Sequence, residues 1–235
     1  MIVHPVNWDY VYKIPDLEEI ESVMFNAVKE TNCPNLFLSG GVDSSLALHF
    51  LSQCFPLVKC FTLAKTKNHP DYYYATMIAS KYPTEHHVYI PSEREITDES
   101  QDGDFDGDVG VRLLSKFTLK HVDSVLVTDC IDELDCGYYP HQSELTDENY
   151  RKFLKELEKF HLKPLNRNTG NLKIYAPYAS KNVIDTFMRI PLADKVNSLE
   201  RKRHVMALGM KYLPEALVYR RKYGFSSCLK DIKGV

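Results

Sequence analysis

Short apolar runs and stretches of helical periodicity alternate through the first half of the chain. Each run is rich in strand-forming residues, and between the runs apolar residues recur every three or four positions. The predicted strands cover residues 36–38, 58–63, 86–90 and 124–128, and the predicted helices between them cover 43–51, 71–82 and 111–121. Strands that alternate with helices at this spacing predict an α/β fold with a doubly wound, mostly parallel sheet.

The second half of the chain is predicted to be mostly helical. Its helices are predicted at residues 148–160, 181–189, 200–210 and 214–220. At the other end, residues 1–13 could add an edge strand, and a helical stripe follows at 16–30. We therefore expect an N-terminal segment and helix (1–34), an α/β part (35–145) and a helical C-terminal part (146–235).

Composition narrows the class of protein. The chain has 235 residues, 44% hydrophobic and 26% charged, with a formal net charge of −3. These values are typical of a globular protein and argue against a nucleic-acid or acidic-membrane partner. Six cysteines occur without any C-x-x-C pair, which indicates reduced and mostly buried thiols. With no signal peptide or long apolar run, we expect a cytoplasmic protein.

A glycine turn joins the first strand to the helix after it, in the string Ser39-Gly40-Gly41-Val42-Asp43-Ser44-Ser45. Gly40 and Gly41 permit positive φ and a close approach of an anion to the backbone. The helix that begins near Asp43 directs its free N–H groups into the same turn, so this backbone predicts a phosphate site. The alternative is that Ser39 or Asp43 only caps a helix.

A polar segment at residues 92–110 is predicted to be a long loop. Its residues 102–108 resemble an EF-hand, but Leu113 stands where that site needs a bidentate glutamate. We favour a mobile substrate or metal loop over a calcium site, and a plain solvated loop over both.

Three blocks in order resemble the synthetase domain of asparagine synthetase and its β-lactam-forming relatives, which are N-type ATP pyrophosphatases. Residues 39–45 resemble their S-G-G-x-D-S loop, and residues 125–138 are similar to L-L-T-G-E-G-A-D-E-L-F-G-G-Y. Within residues 176–226, Lys202 and residues 220–225 resemble the family's K…R-x-K-x-G-F pattern. The resemblance spans residues 35–228 and implies an adenine-nucleotide alpha-hydrolase-like sheet with a helical C-terminal part.

The resemblance also implies a chemistry. A substrate carboxylate attacks the α-phosphorus of ATP, which leaves an acyl-adenylate and pyrophosphate, and ammonia or an amine then displaces AMP. Catalytic roles are implied for Lys202, Lys222 and Asp129, and Mg²⁺ ligation for Asp43 and Asp132. ATP contacts are implied for Leu38, Ser39, Gly40, Gly41, Asp43, Ser44, Ser45, Leu63 and Thr128. Two carboxylates beside a triphosphate independently favour a bridging Mg²⁺.

The chain departs from the family pattern at three places. It starts Met1-Ile2, without the N-terminal cysteine of a glutaminase domain, so we expect free ammonia, a separate glutaminase or an amine within the substrate as nitrogen source. The acidic loop is one residue short, and Asp129 stands nearest to the family's catalytic glutamate. Ser180 replaces an aspartate.

Several polar residues have a simpler interpretation. A basic helix surface is favoured for Arg201, Arg203, Arg220 and Arg221, and core thiols for Cys130 and Cys136. His86 and His87 are interpreted as buried or rim residues, because no third zinc ligand is suitably spaced. The opening of a short helix is the alternative for Asp132 and Glu133.

Other functions fit the same loop. Enzymes that adenylate a nucleobase in tRNA usually carry C-x-x-C pairs or a basic RNA-binding domain, and neither pattern occurs here. An NAD synthetase-like amidation is chemically closer, but residues 133–138 and 220–225 argue against it. The shortened acidic loop is the one feature that favours an inactive ATP-binding regulator.

Overall fold

A five-stranded parallel sheet forms the centre of the protein, in a computed structural model that describes residues 13–221, 223 and 225–230. The predicted edge strand at 1–13 (all but its last residue) and the predicted catalytic Lys222 lie outside these residues. The strands are β1 (Asn35–Phe37), β2 (Val58–Leu63), β3 (Thr84–Tyr89), β4 (Ser124–Leu126) and β5 (Lys173–Tyr175). Their order in the sheet is β3-β2-β1-β4-β5, and every pair is parallel. The predicted doubly wound α/β class is confirmed.

The helices before β4 mostly follow the predicted pattern. They are α1 (Leu17–Glu30), α2 (Val42–Cys54), α3 (Pro70–Ala79), α4 (Glu93–Glu99) and α5 (Asp108–Thr118). The predicted loop at 92–110 is wrong in part, because it contains α4 and the start of α5. Ser92 and Glu95 form a capping box at the start of α4. The Ser92 side chain accepts a hydrogen bond from the Glu95 N–H, and the Glu95 side chain accepts one from the Ser92 N–H.

The second half contains shorter helices than the pattern predicted, and one strand that it did not predict. The helices are α6 (Ile131–Leu134), α7 (Tyr139–Ser143), α8 (Asp147–Leu157), α9 (Lys163–Asn168), α10 (Lys181–Met188), α11 (Leu192–Lys195), α12 (Arg203–Tyr212) and α13 (Glu215–Val218). A π-helical turn at Glu158–Leu162 joins α8 to α9. Strand β5 has only three residues and pairs with β4 through Val125 and Ile174.

Two hydrophobic cores cover the two faces of the sheet. The larger core contains buried residues of α1, α2, α3, α10 and α12, and the smaller one includes Phe61 of β2 and Leu114 of α5. The chain therefore winds along one face from β1 to β3 and crosses to the other face before β4. Adjacent strands β1 and β4 are the point where the winding reverses, and ligands bind at the carboxyl ends of strands at such a point.

Gly40 lies where the loop after β1 packs closely against α3. Its φ is +69°, and a Cβ at this position would lie 2.3 Å from the Ala75 nitrogen in α3. Gly170 has a φ of +59°, but no atom lies within 4 Å of such a Cβ. A substitution at Gly170 therefore measures the cost of the backbone conformation alone. We expect Gly170→Ala to lower the free energy of unfolding by about 1–2 kcal/mol, and Gly40→Ala to lower it clearly more. Urea denaturation of both variants measures this difference, and equal losses would show that the contact with α3 is unimportant.

Candidate active site

The loop between β1 and α2 is a concave turn held by its own hydroxyls. The Ser39 N–H donates to the Ser44 hydroxyl (3.2 Å), and the Gly41 N–H donates to the Ser39 hydroxyl (3.2 Å). Gly41 supplies no side-chain cap to α2, so the first N–H groups of this helix face the turn without a capping side chain. Such a turn at a helix N-terminus is suited to bind an anion.

Lys202 connects this loop to the segment after β4. Its ammonium nitrogen lies 2.5 Å from a carboxylate oxygen of Asp43, in α2, and 2.5 Å from one of Asp132, in α6. The residue is only 4% exposed. Burial alone would lower the pKa of Lys202, but the Asp132 and Asp43 carboxylates together raise it above the ordinary lysine value. One buried cation therefore joins three segments that are far apart in sequence.

The backbone around Lys202 is fixed by Asp135. Lys202 precedes α12 in the left-handed conformation, with a φ of 55°. The fully buried Asp135 carboxylate accepts a hydrogen bond from the Val205 N–H (2.9 Å) and contacts the His204 ring nitrogen at 3.0 Å. Asp135 thus pairs with a free N–H group at the start of α12, and Lys202 is held where it can reach the carboxylates of Asp43 and Asp132.

A second charged group in the acidic loop is formed by Asp129 and His161. The His161 Nε2 atom is in hydrogen-bond contact with the Asp129 carboxylate. Burial lowers the pKa of His161, but the Asp129 hydrogen bond and the charges of Glu133 and Asp132 raise it to about 9. His161 could not be predicted from the sequence, because it lies in no recognised motif and its partner Asp129 is 32 positions away.

Glu133 is a buried carboxyl group of the same loop. It is 4% exposed and accepts a hydrogen bond from the Tyr138 hydroxyl (2.8 Å), and burial raises its pKa. The interpretation of Asp132 and Glu133 as helix-opening charges is therefore incomplete. Both do open α6, but Asp132 is paired with Lys202 and Glu133 is enclosed.

Arg220 contradicts the predicted basic surface. Its side chain is 5% exposed and donates from one nitrogen to the Asp71 carboxylate (3.0 Å) and to the Ser39 carbonyl (3.3 Å). The guanidinium also lies over the Tyr74 ring. Arg201 likewise donates to the Gly137 carbonyl and stacks on Tyr139, whereas Arg221 is exposed as predicted.

These groups line one cavity of about 660 Å³. Most of the predicted ATP contacts border it, as do all four predicted acidic and basic residues that the structure describes. The bordering residues are Leu38, Ser39, Gly41, Asp43, Ser44, Leu63, Thr128, Asp129, Asp132 and Lys202. Gly40 instead packs against α3, and the Ser45 side chain is fully buried.

The segment at 102–108 is a solvated loop only in part: four of its residues are exposed, but residues 105–108 border the cavity. Asp104 pairs with Arg112 (2.5 Å), and Asp108 pairs with Arg167 (2.8 Å). Phe105 borders the cavity, where its ring packs edge-on against Phe160. Over the described ranges, no group of three or more His, Cys, Asp or Glu side chains could hold a metal ion.

The cysteine predictions are confirmed within the described part of the chain. All six cysteines are free, and five of them, including Cys130 and Cys136, are buried. Burial raises the pKa of both thiols to about 12, so neither is a reactive thiolate at neutral pH.

A comparison with known protein families gives a match over most of the chain. The family model described as "Asparagine synthase" matches residues 29–176 and 170–233, which is most of the chain. The chain belongs to the asparagine synthase family, which is a family of ATP-dependent amide synthetase-like ligases. A search of the curated proteins found no match. None of the described helices is long and apolar enough to cross a membrane.

Lys202→Met tests whether Lys202 neutralises the two carboxylates. The variant leaves Asp43 and Asp132 facing each other without the ammonium, so we expect the free energy of unfolding to fall by about 3 kcal/mol in EDTA. Mg²⁺ should restore part of this loss, because a divalent cation can replace the missing charge. Urea denaturation with and without Mg²⁺ measures both effects.

The matched control is Lys211→Met, which removes a lysine from α12, the helix that Lys202 precedes. Lys211 pairs with Glu21 at 2.5 Å and borders no part of the cavity. Its loss should change stability by less than about 1 kcal/mol and give no response to Mg²⁺. Equal behaviour of the two variants would show that Lys202 is not the neutralising group.

A double-mutant cycle tests the buried pair of Arg220 and Asp71. Arg220→Met and Asp71→Asn should each lower the free energy of unfolding by about 3 kcal/mol, because each leaves one buried charge unpaired. The double variant should lose less than the sum, and urea denaturation measures the coupling energy. Additive losses would show that Arg220 and Asp71 do not interact, as expected for an arginine on a basic helix surface. The control is Arg221→Gln, since Arg221 is exposed.

Proposed function

We propose that the protein is an AMP-forming amide synthetase that adenylates a small-molecule carboxylate and transfers ammonia or an amine to it. One observation carries the proposal: the anion-binding loop after β1 and the Lys202-bridged carboxylates of Asp43 and Asp132 meet in one cavity. The family supports ligase chemistry of this kind.

The loop and Lys202 are assigned to the leaving pyrophosphate. The N–H groups at the start of α2 would bind its oxygens, as the N-terminus of a helix binds phosphate elsewhere. Lys202 is a buried point charge beside this position, and it would stabilise the negative charge that develops when the α–β phosphate bond breaks. Because that charge is small in the ground state, Lys202 should lower the barrier more than it tightens ATP binding.

The carboxylates of Asp43 and Asp132 fit Mg²⁺ as ligands. Both present hard oxygens next to one cation position, now taken by the Lys202 nitrogen at 2.5 Å from each. Two carboxylates suit an ion that takes its other ligands from phosphate and water, which is the usual coordination of Mg²⁺. When bound, Mg²⁺ would supply charge neutralisation for the triphosphate.

The reaction then proceeds in two halves. The substrate carboxylate oxygen attacks the α-phosphorus of ATP, the bond to the β-phosphate oxygen breaks, and pyrophosphate leaves. The nitrogen nucleophile attacks the acyl carbon of the adenylate, and the C–O bond to AMP breaks. The protein's part is to position both reactants and to exclude water, for which the 660 Å³ cavity gives room. A separate glutaminase could supply the ammonia.

Product analysis tests the proposal. Carboxylates are screened for substrate-dependent pyrophosphate release with ammonium present, aspartate first, and the nucleotide product is identified by chromatography. We expect AMP and pyrophosphate in equal amounts, because the loop sequence has no Walker A lysine to favour γ-phosphoryl transfer. ADP as the stoichiometric product, or no release with any carboxylate, would overturn the proposal, and the second result would favour an ATP-binding regulator. Asp132→Asn controls for contaminating activity and should lose at least ~10²-fold.

A further inference from the structure

His161 occupies an unusual helical turn at the cavity. It lies in the π-helical turn Glu158–Leu162, which separates α8 from α9. Pro164 explains the turn, because in an unbroken α-helix its ring would clash with the carbonyl of Phe160, four residues earlier. Widening the turn removes the clash and changes the direction of the residues that follow. Such π turns frequently occur at functional sites.

The contacts of His161 are those of an oriented base. Its Nε2 atom contacts the Asp129 carboxylate, and this is its only side-chain hydrogen bond among the described residues. The ring is partly exposed and borders the cavity. A ring fixed through one nitrogen by a carboxylate, with the other nitrogen free, is the arrangement by which Asp orients a histidine base.

The position of Asp129 places this pair near the adenylate. Asp129 comes three residues after β4, and the anion-binding loop comes directly after the adjacent strand β1. The acyl carbon of an adenylate is bonded through one oxygen to the α-phosphorus. A group that follows β4 is therefore close to the carbon that the nitrogen nucleophile attacks.

We propose that His161, held by Asp129, accepts the proton of the attacking amine in the amide-forming half of the reaction. The nitrogen forms its bond to the acyl carbon, the C–O bond to AMP breaks with its electron pair leaving on the phosphate, and one N–H proton moves to Nδ1 of His161. Asp129 stabilises the imidazolium that results. The inference rests on the proposed function, and it assigns His161 together with Asp129 to the role for which the shortened acidic loop has no glutamate.

The charges around His161 agree with this role. Asp129 after β4 contacts the ring, and the nearby charges of Asp132 and Glu133 in α6 also favour its protonated form. On its own segment Glu158 pairs with Lys163 at 3.1 Å, so these two charges largely cancel. The same carboxylates would attract an ammonium ion, whose proton must leave before the nitrogen can attack.

The test measures the two halves of the reaction separately in the variant His161→Gln. The rate of adenylation is measured as the carboxylate-dependent exchange of pyrophosphate into ATP. The rate of the second half is measured as amide formation with ammonia. The carboxylate is aspartate, or otherwise the one that the pyrophosphate screen identifies. We expect exchange within about threefold of the wild-type rate and amide formation reduced at least ~10²-fold, the usual contribution of a general base. Retained binding of Mg-ATP verifies that the variant is folded.

The pH profile gives a second measurement. Amide formation at a fixed concentration of free ammonia should rise with pH towards about 9, because the base acts only when deprotonated. Asp129→Asn removes the charge that raises the pKa of His161, so this limb should move to lower pH and the plateau rate should fall. His49→Gln is the control, since His49 is also half-buried but stacks on Tyr212 outside the cavity.

Each outcome decides the inference. Amide formation at the wild-type rate in His161→Gln overturns it, and so does an equal loss in both halves or a pH limb that Asp129→Asn leaves in place. These results would leave the proposed function standing, because the wild-type protein would still form AMP and an amide. If the wild-type protein uses no carboxylate, the proposed function fails, and the inference fails with it.

Discussion

The ion pairs of Lys202 are the interaction on which the site depends. A buried ammonium has a large desolvation cost unless carboxylates neutralise it, and two partly buried carboxylates repel each other unless a cation lies between them. Asp43, Asp132 and Lys202 therefore satisfy these requirements only when α2, α6 and the start of α12 are assembled together. The sheet supplies the frame for this assembly, because β1 and β4 are adjacent and both end at the cavity.

The same carboxylates bear on the proposed binding of Mg²⁺. Two acidic groups share one lysine, so the cluster keeps a net negative charge beside the loop between β1 and α2. A triphosphate at this site would meet a charge of its own sign, and this is the physical argument for the Mg²⁺ that the proposed function assigns to Asp43 and Asp132. Arg220 adds little free charge, because Asp71 already neutralises it. Its contact with the Ser39 carbonyl instead stabilises the shape of the loop.

The sequence predicted the sheet and the glycine turn between β1 and α2 because both depend on local patterns. Strand and helix periodicity, and the two glycines after β1, are visible in short windows. The roles of Arg220 and His161 could not be predicted in this way, since their partners lie 149 and 32 positions away. Strand β5 was missed, although it is as long as β1 and β4, which were predicted. Helix α4 could have been found, since Ser92 and Glu95 have the spacing of a capping box.

Backbone strain is concentrated at the acidic cluster, and this supports its functional importance. In the described part of the chain, four non-glycine residues have a positive φ, and Cys130, Cys136 and Lys202 are three of them. Cys130 and Cys136 flank α6, the helix that carries Asp132 and Glu133, and Lys202 faces it. Each such conformation costs of order 1 kcal/mol and persists only where the surroundings enforce it. Relaxing Cys130 would turn Asp129 and Asp132 relative to each other, since it lies between them in the chain. The strain therefore fixes the direction of the two carboxylates, one towards His161 and the other towards Lys202.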